Sequence, residues 1–452
     1  MNNTFRQVDR KTLFLLSPSM DDWLPEGHLA RFVVEIVEQL NLTAIKANYA
    51  GRGSKAHHPA MLLALVFYGY ATGVFSSRKL ERATYDSVAF RYIAANDHPD
   101  HDTIANFRKR FLSELTPIFV QILLIAQQMG VLKMGKVSLD GTKIKANASK
   151  HRALSWQYAC KLEAQLKAEV EDLLRQAEDA DRADIPDGLD IPDELARRKE
   201  RLVAIAKAKV EIERRAATRH AAEQAEYEKK LAERTAKEKE TGKKPRGKQP
   251  KAPVPGPQDK DQVNLTDEES RIMPVSGGGF DQCYNAQASV DVETMLIVGR
   301  HLSQNPNDKL EIEPALAALA TLPERLGTVD ALLADAGYSS ETNVDQCLKH
   351  KVLPYICTGR DTHNQTLKER FAEPTPLPDD ADGVTQMKHR LKTREGRALY
   401  AKRKSTVEPV FGIIKAVLGF RQFLLRGVES VRKEWDLVCI AWNLKRLHVL
   451  AA

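Results

Sequence analysis

The stretch Val137-Ser-Leu-Asp-Gly-Thr-Lys-Ile-Lys-Ala-Asn-Ala-Ser149 decides how this chain is interpreted. A strand-like run leads into Asp140, and an alternating pattern resumes after residues 141–142, which predicts a strand pair or a strand followed by a turn. Asp is depleted in strands, and an ionised carboxylate is rarely buried without a partner. Asp140 is therefore either an ordinary turn residue before a glycine or a carboxylate that needs a cation.

Two further carboxylates occur in similar apolar surroundings. Asp335 follows the short apolar run 331–334, which predicts a buried strand, and Asp330 precedes it as the weaker candidate for the same role. Glu408 is predicted to open a helix, with Pro409 in its first turn. Two Asp at strand ends and a Glu on a later helix can hold two divalent ions roughly 3.5–4 Å apart, an arrangement suited to phosphodiester cleavage.

The composition favours a globular protein of the reducing cytoplasm. The chain has 452 residues, of which 42% are hydrophobic, and this is enough for two or three domains with a core. Its net charge of +7 is compatible with nucleic-acid binding and equally with a lysine-rich surface. Five cysteines without a C-x-x-C pair argue against a disulfide framework or a zinc site.

Membrane insertion and nucleotide-driven chemistry are not predicted. The N-terminus lacks the form of a signal peptide. The apolar runs 59–76 and 117–132 fall slightly short of the roughly 20 residues that a membrane span needs, so we expect buried helices. The chain has no phosphate-binding loop of the G-x-x-x-x-G-K-[ST] type.

Changes in composition predict three domains. Residues 1–133 are expected to form a helical DNA-binding domain, and residues 134–152 and 263–452 a domain of strands interleaved with helices. Residues 153–262 are expected to be a helical or coiled-coil insertion that ends in a disordered, basic, Pro-rich linker. The predicted fold class is α/β, or mixed α+β, with a mixed sheet.

One predicted helix of the N-terminal domain, residues 102–111, carries Arg108 and Arg110 next to apolar residues. This pattern resembles the DNA-recognition half of a helix-turn-helix, and we expect both arginines to contact DNA. A core helix with a solvated basic face fits the same pattern equally well.

Four segments of the chain resemble the DDE-type transposases of bacterial insertion sequences. They are residues 139–149, 284–291, 333–338 and 400–412. The resemblance implies an RNase H-like mixed sheet flanked by helices, with an all-helical N-terminal domain and a long helical insertion. It also implies that Asp140, Asp335 and Glu408 are the catalytic, metal-binding triad for two Mg²⁺ ions, which Mn²⁺ can replace.

Related transposases share a signature of Tyr, two residues, Arg, three residues, Glu, six residues, Lys. Tyr400, Arg403, Glu408 and Lys415 match its residue types, but four residues separate Arg403 from Glu408, and strict spacing puts Lys404 in place of the arginine. The resemblance implies that the tyrosine and the basic residues contact DNA. Arg suits a bidentate grip on phosphate, whereas Lys is a point charge.

The resemblance implies a transposase that cleaves double-stranded DNA at terminal inverted repeats and transfers the element into target DNA. We expect a homodimer in the DNA complex, because two ends must be joined, and we expect no membrane partner. One alternative is a metal-dependent nuclease without strand transfer. Another is a non-catalytic DNA-binding or coiled-coil scaffold, which the long charged insertion favours.

Overall fold

The computed structural model forms two compact units, and each contains a part of the residues predicted to form the catalytic domain. It describes residues 19–49, 56–179, 191–242, 247–359, 366, 372–378 and 380–452. The first unit comprises the described residues within 1–144, 285–423 and 429–452, and the second those within 145–284 and 424–428. The boundaries of the three predicted domains stay a prediction.

The N-terminal part of the first unit is helical, as predicted. Its helices are α1 (Leu29–Gln39), α2 (Thr43–Ala47), α3 (Pro59–Ala71), α4 (Ser77–Asp86), α5 (Val88–Ile93), α6 (His101–Arg110) and α7 (Leu115–Gln128). Helix α3 is buried on most sides, as its apolar sequence predicts. No single described helix is long and apolar enough to cross a membrane, although the bent pair of α6 with residues 112–128 passes that test by length and composition.

The helices of the rest of the chain follow in order. They are α8 (Trp156–Asp179), α9 (Ile191–Thr241), α10 (Ile312–Ala320), α11 (Glu341–Lys349), α12 (Gly383–Lys392), α13 (Arg394–Gly412) and α14 (Val428–Ala451). The strands are β1 (Lys136–Lys145), β2 (Ala153–Ser155), β3 (Gln262–Asn264), β4 (Arg271–Pro274), β5 (Phe280–Asp291), β6 (Ile297–Ser303), β7 (Ala331–Ala334) and β8 (Leu353–Ile356).

A mixed sheet organises the first unit, as the sequence predicts. Five of its six strands lie in the order β6-β5-β1-β7-β8, and the sixth, β4, pairs antiparallel with the first residues of β5. Strand β7 pairs in parallel with both β1 and β8, and β5 and β6 form an antiparallel hairpin. Helix α14 covers the hairpin, where the Trp435 indole donates to the Gln287 carbonyl over 3.0 Å and the Asn443 amide bonds to the Ile297 backbone. The parallel strands β1 and β7 thus lie at the centre of the sheet.

Of the alternatives left open for Asp140, the turn does not occur, because β1 runs unbroken through this residue and Gly141. Glycine is required here by close packing. A Cβ built on Gly141 would collide with Gln287 Nε2 and would lie 2.6 Å from Asp308 Oδ1 and 2.8 Å from Asn285 Oδ1. Three polar side chains therefore approach the backbone of β1 directly beside Asp140.

The prediction that Glu408 opens a helix is wrong. Helix α13 begins at Arg394, where the Thr393 hydroxyl accepts from the Gly396 N–H over 3.0 Å, so Glu408 lies near its C-terminal end. Pro409 stands inside the helix, although proline is favoured in a first turn. The helix continues as a π-helical turn over Ile413–Val417.

The second unit contains the predicted long helical insertion, in which α8 and α9 form a hairpin. The two helices share an apolar core with the small antiparallel pair β2–β3, formed by Leu154, Ala159, Leu162, Leu166, Ile205, Ala208, Ile212 and Val263. An ion pair of 2.7 Å between Lys209 and Glu163 links the same helices. Within the linker that was predicted to be disordered, residues 243–246 lie outside the described residues.

Candidate active site

Two aspartates lie beside the paired parallel strands β1 and β7, with Asp140 inside β1 and Asp335 directly after β7. The last β1–β7 pair is Ser138 with Leu333, and continuing that register by two residues puts Asp140 opposite Asp335. Residues at the same register of parallel neighbours face the same side of a sheet. Each carboxylate is held by a backbone N–H, since Asp140 Oδ1 accepts from Gly141 and Asp335 Oδ1 accepts from Gly337, both over 2.8 Å.

The ionised form of Asp140 is destabilised by its surroundings. Burial is the main cause that raises its pKa to about 6, and the negative charges of Asp335 and Asp308 raise it further. The Gly141 N–H and the Arg403 guanidinium act in the opposite direction. An acid pair of this kind is stabilised by a bound cation.

The protein supplies one such cation, the guanidinium group of Arg403 on α13. Arg403 is only 9% exposed. Its Nη1 lies 3.6 Å from Asp140 Oδ2, and its Nη2 donates to Glu408 Oε1 over 2.9 Å. Burial lowers the Arg403 pKa, but the surrounding tyrosine and carboxylates raise it above the ordinary value, so the group stays charged. Arg403 thus contacts two of the three predicted triad carboxylates.

The donor set suits a divalent cation only in part. Asp140 and Asp335 are neighbouring carboxylates that are both half-buried, and Mg²⁺ binds through few carboxylates. Within the described ranges, no three side chains of His, Cys, Asp or Glu lie where they could hold a metal together. Glu408 is ion-paired with Arg403 and is 49% exposed. The structure therefore fits a two-aspartate site, to which Glu408 is added only if Arg403 moves.

The other residues of the signature occupy different environments. Tyr400 is half-buried, and burial followed by the nearby Cys357 raises its pKa to about 12, so that its hydroxyl stays protonated. Lys404 is exposed, whereas the neighbouring Arg403 faces the carboxylates. Lys415 Nζ donates to the Lys143 carbonyl of β1 over 2.8 Å. Of the two residues considered for the arginine position, Arg403 is the one beside the acids.

The two arginines of α6 have partners inside the protein. Arg108 donates to the Phe75 carbonyl over 3.0 Å and to the Tyr70 hydroxyl over 3.3 Å. Arg110 donates to the Asn48 carbonyl and lies over the Tyr49 ring at 5.6 Å from its centre. Their predicted contact with DNA stays a prediction.

Sequence reasoning missed a fourth carboxylate close to the pair, Asp308. One of its oxygens accepts from Lys143 Nζ, Asn285 Nδ2 and Gln287 Nε2, at 3.1, 2.6 and 2.7 Å. Asp308 lies in a polar loop after β6, where Asp is an ordinary residue. The usable signal was on β5, where Asn285 and Gln287 put two amides on one face of a buried strand.

The raised pKa of Asp140 predicts how stability depends on pH when no metal is present. The folded protein binds this proton more tightly than the unfolded chain, whose value is near 3.8, so the stabilisation is complete below pH 4 and is lost as pH rises through about 6. The difference corresponds to about 3 kcal/mol. In EDTA, we expect Asp140→Asn to be more stable than the wild type at pH 7.5, with the advantage shrinking towards pH 4.

Chemical denaturation of both proteins at pH 4.5 and 7.5 measures this effect. Asp330→Asn, at the opposite end of β7, is the matched control and should keep the pH dependence of the wild type. An advantage of Asp140→Asn that is equal at both pH values would contradict the predicted proton uptake.

Comparisons with known families agree with this geometry. Residues 18–110 match the model described as Transposase domain (DUF772), and residues 356–448 match the model described as Transposase DDE domain. The second match contains Arg403 and Glu408. The searches of curated proteins and of solved structures found no match. The mixed sheet of the first unit is RNase H-like, and the two matches together support an insertion-sequence transposase of the DDE type.

Proposed function

We propose that this transposase cleaves DNA at the terminal inverted repeats of its element and joins the freed 3′-hydroxyl to target DNA. The observation that carries the proposal is the closeness of Asp140, inside β1, to Asp335, directly after β7: the β1–β7 register continued by two residues puts them opposite each other, and their charges interact. Strands deliver both carboxylates rigidly, which phosphoryl transfer requires because positioning and electrostatics provide most of its catalysis.

Asp140, Asp335 and Glu408 are proposed to hold two divalent metal ions, Mg²⁺ or Mn²⁺. When bound, such ions activate a water nucleophile and stabilise the leaving oxygen. The raised pKa of Asp140 supports this assignment, because the positive groups of the protein do not fully compensate its negative charge, and a metal ion would. Glu408 is the half-exposed member, and it would complete the set once its ion pair with Arg403 opens.

We propose that Arg403 leaves its carboxylate partners, Asp140 and Glu408, and binds a DNA phosphate when DNA is present. A guanidinium binds phosphate through two parallel hydrogen bonds, so an incoming backbone can compete with the 3.6 Å contact to Asp140 and the bond to Glu408. DNA binding would then release Glu408 to the aspartate pair. Tyr400 and Lys404 are proposed to contact the same DNA strand. Lys415 is held by the β1 backbone and would reach DNA only by leaving it.

The partners follow from the reaction. The substrate is double-stranded DNA, and the N-terminal helices, with Arg108 and Arg110, are proposed to bind the inverted repeats. Two ends must be joined, so we propose a homodimer in the DNA complex, with both ends bound at once. A transposase of a bacterial insertion sequence acts on chromosomal DNA, so we propose that the reaction takes place in the cytoplasm.

A labelled duplex that carries the flanking inverted repeat tests the proposal. We expect nicking at the repeat boundary with Mg²⁺ and none with EDTA, and joined products when paired ends meet an unlabelled target. Cutting without joined products would favour a nuclease of the same fold. Binding without cutting at any Mg²⁺ or Mn²⁺ concentration would contradict the proposal and favour a scaffold.

A further inference from the structure

A hydrogen-bonded group of polar side chains lies beside the proposed metal site and is centred on Asp308. Its members besides Asp308 are Lys143, Asn285, Gln287 and Tyr338, called here the Asp308 cluster. Lys143 comes from β1 and the two amides come from β5. All three of these side chains donate to the same oxygen, Asp308 Oδ1. One carboxylate therefore gathers side chains from two adjacent strands of the sheet.

The cluster contacts β1 directly beside Asp140. Gly141 has no side chain, and a Cβ there would lie 2.6 Å from Asp308 Oδ1. The backbone of β1 therefore rests on Asp308 and its amide partners, with no room for an intervening group. Because Asp140 Oδ1 accepts from the Gly141 N–H, the position of this peptide also sets the orientation of the Asp140 carboxylate.

The same cluster reaches the turn that carries Asp335. The Tyr338 hydroxyl donates to Gln287 Oε1 over 2.6 Å, and Gln287 Nε2 donates in turn to Asp308. Burial raises the pKa of Tyr338 well above its usual value, so the phenol remains a donor. Tyr338 ends the short helical turn that Asp335 caps. Asp308 is thus linked to Asp140 through the Gly141 backbone, and to the turn of Asp335 through the hydrogen bonds of Gln287 and Tyr338.

The hydrogen bond to Asp308 sets the orientation of the Asn285 amide. Asn285 is fully buried, and its Nδ2 donates to Asp308 over 2.6 Å and to the Asn305 carbonyl over 3.2 Å. Its Oδ1 has no hydrogen-bond partner within the described residues. A buried acceptor is rarely left unpaired. The charged acceptor on Asp308 therefore fixes the amide even though Oδ1 goes unsatisfied.

We propose that Asp308 is a positioning residue that fixes the relative places of Asp140 and Asp335 through the Gly141 backbone and through Gln287 and Tyr338. The inference rests on the proposed function, because it concerns the same metal-binding pair. Residues that orient metal ligands without touching the metal typically change metal affinity or activity by about 10- to 100-fold when replaced. An Asp308→Asn variant keeps the side-chain size but replaces one oxygen with a donor.

Mn²⁺ binding by calorimetry, without DNA, provides the first readout, because a merely structural role would not change it in folded protein. We expect Asp308→Asn to stay folded and to bind Mn²⁺ about 10- to 100-fold more weakly than the wild type. Asp345→Asn, an exposed carboxylate on α11, is the matched control and should bind as the wild type does. Wild-type Mn²⁺ affinity in folded Asp308→Asn overturns the inference, whatever the second readout shows.

Denaturant midpoints in EDTA give a second readout that needs neither metal nor DNA. Asp308→Asn, Tyr338→Phe and the double variant form a cycle, and we expect the midpoint shifts to be non-additive, because both residues act through Gln287. Additive shifts overturn the inference. If the wild type itself neither binds Mn²⁺ nor cleaves DNA, the proposed function fails, and this cycle alone decides whether Asp308 and Tyr338 form one unit.

Discussion

Replacing Asp140 with Asn should abolish Mg²⁺-dependent cleavage while DNA binding persists. The substitution keeps the size of the side chain and its bond to the Gly141 N–H, but it removes one of the two negative charges that would hold the metal ions, the other being that of Asp335. Metal ions contribute several kcal/mol of transition-state stabilisation in such reactions. At about 1.4 kcal/mol per tenfold in rate, the expected loss is at least about 10³-fold.

Cleavage of the labelled inverted-repeat duplex and fluorescence anisotropy on the same duplex measure the two properties separately. Asp330→Asn is the control, since Asp330 precedes β7 and Asp335 follows it. We expect that variant to cleave at the wild-type rate. Cleavage by Asp140→Asn within about tenfold of the wild type would exclude Asp140 from the reaction, and loss of both cleavage and binding would indicate a disrupted fold.

The sequence predicted those elements whose signals are local. The apolar run before Asp335 predicted β7. The charged, alanine-rich segment predicted the long helices α8 and α9. In each case the hydrophobic period of a single segment identifies the element, so no knowledge of its neighbours is needed.

The two departures in local structure arose where packing overrides local preference. A turn at Gly141 was one of two alternatives, but this glycine lies inside β1, where side chains from other parts of the chain pack against its backbone. Pro409 was expected in a first helical turn, yet the helix had started at Arg394. Glycine and proline constrain the backbone, but whether the constraint serves a turn or a close contact depends on tertiary neighbours.

The sequence indicated the candidate carboxylates, but it did not indicate the ion pairs and hydrogen bonds that surround them. Asp140 and Asp335 stand out because a carboxylate after an apolar run is unusual, and the register that makes them level then follows from sheet pairing. The ion pair of Arg403 with Asp140 cannot be inferred from spacing, because it joins α13 to a strand more than 250 residues earlier. Asp308 was missed for the same reason, since its partners lie on β1 and β5.

Exchanging Arg403 for Gln should impair cleavage far more than exchanging Lys404 for Gln. The two residues are adjacent, and strict family spacing favours Lys404, so this pair of variants tests the geometry directly. Arg403 is buried against the carboxylates and Lys404 is exposed. Loss of one preorganised group that stabilises charge typically reduces the rate about 10²- to 10³-fold. We expect that loss for Arg403→Gln and a change within about threefold for Lys404→Gln, which touches only an exposed side chain.

Metal binding without DNA distinguishes an ion-pairing role of Arg403 from a general effect on folding. In EDTA, Arg403→Gln leaves the acid cluster without its cation, so its denaturant midpoint should fall below that of the wild type. Mn²⁺ should then raise the midpoint of this variant more than that of the wild type, since Arg403 no longer competes for Asp140 and Glu408. Equal Mn²⁺ responses in both proteins would mean that Arg403 does not compete with the metal. Arg403→Gln is thus expected to respond more strongly to Mn²⁺ in its denaturant midpoint while it loses cleavage activity. A misfolded variant would not show both results.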